Sequence, residues 1–292
     1  DLIGTAYFAH GAGLLARIAR ILGKTEDAAR FRSLAQAVRK AFNREFVSPA
    51  GRLAGDTQTA YALALAFDLL PFEKRDPAFS RFVKRLEERG GHLSTGFVGT
   101  PLLAPVLSRF GRHDLAYRLL LQEDYPSWLH TVNEGATTMW ERWNSYSREG
   151  GFGDAGMNSF NHYAYGAIGQ WLYETVAGIK PDLSSPGFGH IVVAPVARRG
   201  INRASASLLS RRGKIQSSWK ATKNRFELSV TLPPNTTGTL VLPAGSIDDV
   251  REGKSPIEGI EGLHEILLAE DGVRCHVGAG NYRFEVRNPV YG

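Results

Sequence analysis

Cysteine is almost absent from this sequence, since Cys275 is the single cysteine among 292 residues. One cysteine cannot form an internal disulfide bond, so a disulfide framework is excluded. Long apolar runs are missing as well, because no stretch approaches the roughly 18 residues typical of a membrane-spanning helix. The chain has no cysteine–histidine zinc spacing, no glycine-rich phosphate loop and no Gly-x-Ser-x-Gly turn. We therefore expect no cofactor, no metal site and no membrane partner.

The composition is typical of a globular protein, with 43% hydrophobic and 22% charged residues. The length allows one large domain or two ordinary ones. The sequence begins with Asp1 instead of Met, and no signal-peptide pattern follows it. We therefore expect either a processed chain or a piece of a longer polypeptide. The localisation does not follow from these features.

The net charge of +6 is unevenly distributed, because nine basic residues and no acidic residue lie between Arg198 and Arg225. A nucleic-acid surface shows such a patch, preferably with exposed aromatic residues. Here the basic residues alternate with Ala, Leu, Ile, Ser and Trp, which favours the solvent face of a sheet. We expect no nucleic-acid partner.

The spacing of apolar residues is helical up to about Lys180 and predicts about seven helices. The clearest segments after the first hairpin are Thr57–Leu70, Phe79–Arg89, Thr100–Phe110, His113–Gln122 and Ser159–Ala177. The loops between them are rich in Gly, Thr and aromatic residues, which favours concentric helices over a plain bundle. A complete toroid of six hairpins has twelve helices, so we predict a partial (α/α)6 toroid.

After Pro181 the apolar residues alternate with a period of two, which predicts short strands. The strand segments are Ile191–Val193, Ala204–Leu208, Lys214–Trp219, Arg225–Leu232, Gly238–Leu242 and Asn281–Val286. Short strands separated by Pro and Gly turns favour an antiparallel β-sandwich. We predict two domains, residues 1–181 as part of the toroid and residues 182–292 as the β-sandwich.

Tryptophan is concentrated around one glutamate. Trp128, Trp140 and Trp143 are three of the five tryptophans and lie within sixteen positions, with Glu141 between the last two. Aromatic rings that stack on sugars, combined with carboxylates that bind hydroxyls, are typical of carbohydrate sites. An apolar setting also suits a carboxylate to acid–base work. A buried structural carboxylate paired with Arg142 or another arginine explains the pattern equally well.

The run Gly135–Trp143 closely resembles the catalytic-base motif of the bacterial α-L-rhamnosidases of glycoside hydrolase family 78. Further segments resemble the same family, in order and at the expected spacing. These segments are Gly4–His10, Gly55–Tyr61, Thr95–Pro101, Asn158–Ala167, Leu232–Thr237 and Val277–Tyr282. The resemblance covers nearly the whole chain.

The resemblance implies that Glu141 is the general base of an inverting hydrolase that releases terminal α-L-rhamnose, so a rhamnose-containing glycoside is the expected partner. It implies that His162, which on its own would be interpreted as a structural histidine, hydrogen-bonds the rhamnose. Trp140 and Trp143 flank the base. The candidate substrate-binding residues are therefore His162, Trp140, Trp143, Trp128, Asp56 and Asn161.

The general acid has no counterpart in this sequence. An inverting hydrolase needs two carboxyl groups roughly 6.5–9.5 Å apart, and the resemblance implies that the second one lies in a missing N-terminal part of the same polypeptide. Glu134, Glu149 and Asp154 are nearby acids that no motif supports. We expect the isolated chain to be inactive and to expose apolar helix faces. The alternatives are an inactive carbohydrate-binding fragment or pseudo-enzyme, and another inverting (α/α)6 glycosidase.

Overall fold

The computed structural model describes residues 1–291. The chain divides into two compact units, Asp1–Ala167 and Ile168–Gly292. The first unit is mainly helical and the second consists mainly of strands. The predicted fold class, a partial helical toroid followed by antiparallel sheets, is confirmed.

The first unit contains three consecutive helical hairpins. Their helices are α1 (Leu2–Ile21), α2 (Thr25–Phe46), α3 (Gln58–Ala66), α4 (Phe72–Glu87), α5 (Thr100–Arg109) and α6 (His113–Leu120). Helix α1 contacts α3, and α3 contacts α5, whereas α2, α4 and α6 each pack against the hairpin partner that precedes them. The odd-numbered helices therefore form an inner row and the even-numbered helices an outer row, as in half of a six-hairpin toroid.

Burial follows from this arrangement. Tyr61 to Leu65 of the inner helix α3 are all at most 2% exposed. The outer helix α4 buries only one face, with Ala78, Phe82 and Leu86 at successive intervals of four residues. Thr57 begins α3 because its side chain accepts a hydrogen bond from the Ala60 amide at 3.2 Å.

The rest of the first unit is formed by short elements. They are α7 (Trp128–Asn133), β1 (Tyr146–Ser147), β2 (Gly151–Phe152) and two 3₁₀ turns, Ala155–Met157 and Ala164–Ala167. Strands β1 and β2 form a small antiparallel ribbon. The turn at Ala164–Ala167 contacts α5 and so extends the inner row.

Two predicted helices differ from the structure. Helix α4 begins at Phe72, seven residues before the predicted start, with Pro71 as its N-cap. The continuous helix predicted over Ser159–Ala177 was wrong. Residues 159 to 163 are not helical, because backbone groups of Ser159 and His162 bond to residues 141 and 139 instead of to a helix.

The remainder of that segment lies mostly in the second unit, as α8 (Ile168–Trp171) and a π-helical stretch, Leu172–Val176. The strands that follow are β3 (Ile179–Pro181), β4 (His190–Val193), β5 (Arg203–Ser210), β6 (Gly213–Ala221), β7 (Arg225–Leu232), β8 (Thr237–Leu242), β9 (Val250–Glu252), β10 (Ser255–Pro256), β11 (Leu263–Ala269), β12 (Gly272–Val277) and β13 (Gly280–Arg287). A 3₁₀ turn, Ile247–Asp249, precedes β9.

These strands form two sheets, ordered β10-β9-β13-β7-β6-β5 and β11-β12-β8-β4-β3. All neighbours are antiparallel except β4 and β8, which are parallel. Burial alternates along the central strands, so that Ile215 and Trp219 of β6 are buried while Lys214 and Lys220 are exposed. The basic residues of β6 therefore lie on the solvent face, as expected. No helix among residues 1–291 combines the length and the apolar character needed to cross a membrane.

Helix α1 has its large and small apolar residues on opposite faces. The alanines at positions 6, 9, 12, 16 and 19 are buried, which allows close approach of neighbouring helices. The large apolar residues of the other face are exposed; they are Ile3, Tyr7, Phe8, Leu14, Leu15, Ile18 and Ile21. A monomer rarely exposes so many together.

We predict that the isolated chain self-associates through this face of α1. Leu15 and Ile18 are 46% and 50% exposed, so the double substitution Leu15→Lys/Ile18→Lys places charge on the face without disturbing packing. Sedimentation velocity is expected to show weaker association, with the free energy of unfolding changed by less than about 1 kcal/mol.

Ala16→Lys is the matched control, because Ala16 lies on the opposite face and is 8% exposed. Burying the ammonium group there is expected to lower the free energy of unfolding by about 3 kcal/mol or more. Unchanged association of the double variant would contradict the prediction.

Candidate active site

Two segments far apart in sequence pair through their backbones in the first unit. The Glu141 amide donates to the Ser159 carbonyl at 2.9 Å, and the His162 amide donates to the Met139 carbonyl at 2.9 Å. The Thr138 hydroxyl adds a bond to the Phe160 carbonyl. This pairing brings Glu141 and His162 to one region of the surface.

The Glu141 carboxylate is held on one side only. Its Oε2 accepts a hydrogen bond from the Ser159 amide at 2.8 Å, and Oε1 has no hydrogen-bond partner among residues 1–291. The side chain is half-buried. A carboxylate oriented by a backbone amide, with one oxygen free, is suited to accept a proton from a water molecule.

His162 stacks on an aromatic residue that sequence reasoning did not single out. Its ring lies 4.5 Å from that of Phe97, at an interplanar angle of 20°. The Ala164 amide donates to His162 Nδ1 over a long 3.4 Å, which leaves Nε2 to carry the proton of the neutral ring. Phe97 and the neighbouring Tyr163 are exposed, at 40% and 87%. The His162 ring is therefore held between Phe97 and the residues that follow His162, and its Nε2 remains available as a hydrogen-bond donor.

The position of Phe97 is fixed by contacts of its loop with the first residues of α3 and by the tight packing just before α5. The Gln58 side chain is buried and bonds to the Ser94 amide at 2.7 Å and to the His92 carbonyl at 3.1 Å. Gly99 ends the loop that carries Phe97. A Cβ atom at this position would lie only 2.6 Å from Thr59 Oγ1, so a larger residue does not fit. The loop that carries Phe97 is thus anchored to the inner helices.

The tryptophans lie beneath this surface. Trp128 and Trp143 meet edge to face at 5.5 Å, and Trp143 stacks on Tyr165 at 3.9 Å. Trp128 Nε1 also donates to the Tyr165 carbonyl at 3.0 Å. Trp140 packs edge-on against Phe160 at 5.5 Å. Because all three indole rings are 6–7% exposed, they support the paired segments from within, and their contact with a sugar stays a prediction.

Asp56 is held by other side chains at the start of α3. Tyr61 Oη donates to Asp56 Oδ1 at 2.5 Å and Arg52 Nε donates to Oδ2 at 3.1 Å. The Tyr61 hydrogen bond is the main cause that lowers the pKa of Asp56, and Arg85 and Arg52 add to it. Burial, together with the bond to Asp56, raises the pKa of Tyr61 to about 12. These contacts connect Asp56 to α3 and α4 and not to Glu141.

Asn161 lies exposed in the second paired segment, between Ser159 and His162, and its side chain makes no hydrogen bond among the described residues. The structure thus brings Glu141, Asn161 and His162 together and adds Phe97 and Ser159, which were missed. The only sequence feature that could have identified Phe97 is its position as the single aromatic residue in a Thr- and Gly-rich loop.

The other nearby acids lie outside the two paired segments. Glu134 Oε2 accepts from the Arg148 amide at 2.6 Å, and Asp154 Oδ1 accepts from the Gly156 amide at 2.9 Å. Glu149 is exposed. Within the described part of the chain, no group of three His, Cys, Asp or Glu side chains is placed to hold a metal ion.

Comparison with known proteins gives matches over both units. The model of the bacterial α-L-rhamnosidase 6-hairpin glycosidase domain matches residues 1–176, and that of the bacterial α-L-rhamnosidase C-terminal domain matches residues 178–255. An α-L-rhamnosidase of Formosa agariphila is 42% identical over 98% of this chain, which covers 31% of that protein.

Solved structures agree. The α-L-rhamnosidase of Streptomyces avermitilis complexed with L-rhamnose is 43% identical with a TM-score of 0.90, and the match covers 98% of this chain and 27% of that one. The native α-L-rhamnosidase of Aspergillus terreus is 33% identical with a TM-score of 0.84, over 97% of this chain and 30% of that one. The chain therefore spans less than a third of the length of these relatives.

The three hairpins and the two sheets that follow them correspond in class to part of a six-hairpin glycosidase domain and a C-terminal β-domain. Within that class, the chain belongs to the bacterial α-L-rhamnosidase family.

We predict that Tyr61→Phe lowers the free energy of unfolding by about 1–3 kcal/mol at pH 7, because a bond to a charged carboxylate is lost. The folded-state pKa of Asp56 lies below its ordinary value, so its contribution is present above that value and is lost as pH falls through the lowered pKa. Denaturant unfolding from pH 7 to pH 2 is expected to show a smaller acid-induced loss in the variant.

Tyr146→Phe is the control, because the Tyr146 hydroxyl has no hydrogen bond in the described part of the chain and its ring packs on Trp140. An equal loss of stability in both variants, or an unchanged pH dependence in Tyr61→Phe, would contradict the role given to the Tyr61–Asp56 bond.

Proposed function

We propose that this chain carries the water-activating side of an inverting α-L-rhamnosidase site, with Glu141 as the general base. The observation that supports this most directly is the Glu141 carboxylate. The Ser159 amide orients it through Oε2 at 2.8 Å, and Oε1 has no hydrogen-bond partner among residues 1–291. Membership of the bacterial α-L-rhamnosidase family supports rhamnose as the sugar.

In this mechanism Oε1 of Glu141 accepts a proton from water while the water oxygen attacks the anomeric carbon. The bond from that carbon to the leaving oxygen breaks, and the leaving oxygen takes a proton from the general acid. The attack comes from the face opposite the leaving oxygen, so the configuration at that carbon inverts. The Ser159 amide keeps the carboxylate in one orientation throughout, which avoids reorganisation during the reaction.

His162 binds the sugar in this proposal by donating its Nε2 proton to a rhamnose hydroxyl. Asn161, whose exposed side chain has no hydrogen-bond partner among residues 1–291, binds a second hydroxyl. The exposed rings of Phe97 and Tyr163 offer apolar surface for the C–H face of the sugar. Trp128, Trp140 and Trp143 hold this surface from below.

The general acid is proposed to come from the part of the longer polypeptide that this chain does not include. The chain contributes three helical hairpins where a toroid has six, and no family motif supports Glu134, Glu149 or Asp154 as the acid. The lack of a motif-supported acid among the described residues also favours the second candidate function, a rhamnose-binding fragment without catalysis of its own.

A chimera tests the proposal. Residues 1–292 replace the matching segment of the Streptomyces avermitilis enzyme, and hydrolysis of an aryl α-L-rhamnoside is measured. We expect an active chimera, in which Glu141→Gln lowers kcat by about 10²–10⁴-fold with little change in KM. The first product formed is expected to be the β-anomer of L-rhamnose by proton NMR.

Glu149→Gln is the matched control, because Glu149 is a nearby exposed glutamate with no hydrogen bond in the described residues, and we expect it to keep full activity. The isolated 292-residue chain is expected to show no turnover. If the isolated chain shows turnover that Glu141→Gln abolishes, the proposal that the general acid lies outside this chain is contradicted. An active Glu141→Gln chimera would contradict the proposal that Glu141 is the general base.

A further inference from the structure

The solvent face of β5, β6 and β7 contains a groove of about 450 Å³ that the proposed activity does not use. It lies in the second unit and overlaps the stretch of basic residues between Arg198 and Arg225. The residues that line it are Arg203, Ala204, Ser205, Ser218, Trp219, Lys220, Glu227 and Ser229.

The groove exists because small residues align across three strands. Ser205 is opposite Ser218, and Ser218 is opposite Ser229. A second row lies two residues further along each strand. It consists of the longer side chains of Arg203, Lys220 and Glu227, which are also opposite one another. Strands are spaced by about 4.8 Å, so the serine row is about 10 Å long, the span of a disaccharide.

The charge of the groove is only partly compensated. Arg203 and Lys220 form no ion pair with any carboxylate of residues 1–291, whereas the Glu227 carboxylate lies 2.8 Å from the Arg225 guanidinium. Arg225 is itself bonded to Glu285 at 2.7 Å. Arg203 and Lys220 therefore lie beside the row of serine hydroxyl groups, and neither cation has an ion-pair partner in the described part of the chain.

These groups match an acidic sugar. A guanidinium and an ammonium group bind carboxylates through charge-assisted hydrogen bonds, and the serine hydroxyls and Glu227 can bind ring hydroxyls. Single-stranded nucleic acid would require exposed aromatic rings for stacking. The groove has none, because Trp219 is 2% exposed and its Nε1 donates inward to the Val176 carbonyl at 2.6 Å.

We propose that this groove is an accessory binding site for a saccharide that carries carboxylate groups, such as a uronic-acid oligosaccharide. The proposal deepens the proposed function and rests on it for the choice of a glycan: the site binds an acidic stretch of the rhamnose-containing glycan. Its test is a binding measurement that needs no hydrolysis.

The experiment is isothermal titration calorimetry of the full 292-residue chain with tetragalacturonate at low ionic strength. We expect saturable binding that Lys220→Gln and Arg203→Gln each weaken about tenfold, because each removes one charge-assisted bond. Ser218→Tyr fills the floor of the groove and is expected to abolish binding. Circular dichroism melts verify that the variants fold.

Lys214→Gln is the matched control, because Lys214 is exposed on the same face of β6 but does not line the groove, and we expect unchanged affinity. Equal weakening by Lys214→Gln, tighter binding of a ten-residue oligothymidylate, equal binding of neutral maltotetraose, or no binding at millimolar tetragalacturonate would overturn the proposal.

Glu141→Gln separates the two proposals. If it abolishes hydrolysis by the chimera but leaves tetragalacturonate affinity unchanged, both stand. Loss of tetragalacturonate binding in this variant would place the saccharide at the Glu141 site and overturn the proposal that the groove binds it. An active Glu141→Gln chimera with intact groove binding would overturn only the rhamnosidase base.

Discussion

The backbone pairing between residues 139–141 and 159–162 is the constraint on which the candidate site depends. Two amide–carbonyl bonds of 2.9 Å join these segments, and the same Ser159 that accepts from the Glu141 amide returns its own amide to the Glu141 carboxylate. Backbone and side chain of the glutamate are thus fixed by one residue. Because the pairing uses groups that a helix would otherwise use, it also explains why the chain stays non-helical up to the turn at Ala164.

The helical scaffold and the aromatic layer hold this pairing in place from two directions. Gln58, at the start of an inner helix, anchors the loop that carries Phe97, and Phe97 stacks on His162. From below, the buried ring of Trp143 stacks on Tyr165. Catalytic groups gain precision when they are supported by rigid elements and packed neighbours. The same scaffold leaves the large apolar residues of α1 exposed, which is consistent with half of a toroid.

The parts of the fold that depend on periodicity could be predicted from the sequence. Apolar residues such as Phe82 and Leu86 recur at helical spacing, and the alternation along β6 and β7 identifies their buried faces. The helix expected over Ser159–Ala177 failed because its periodicity carries no information about pairing with a segment twenty residues earlier. The Glu141 region could be identified from its motif, but the burial of its tryptophans could not, since composition does not tell which way a ring packs. Phe97 was missed because it is the single aromatic residue of its loop, whereas the tryptophans cluster in sequence around Glu141.

Removing the base and supplying an external nucleophile tests the central claim most directly. In a chimera of this chain with the rest of the Streptomyces avermitilis enzyme, Glu141→Ala removes the carboxylate that the Ser159 amide orients. Azide, which needs no deprotonation, is then expected to restore turnover of an activated aryl α-L-rhamnoside and to yield the β-rhamnosyl azide. Full activity of Glu141→Ala without azide, or an azide product of retained configuration, would contradict the role assigned to Glu141.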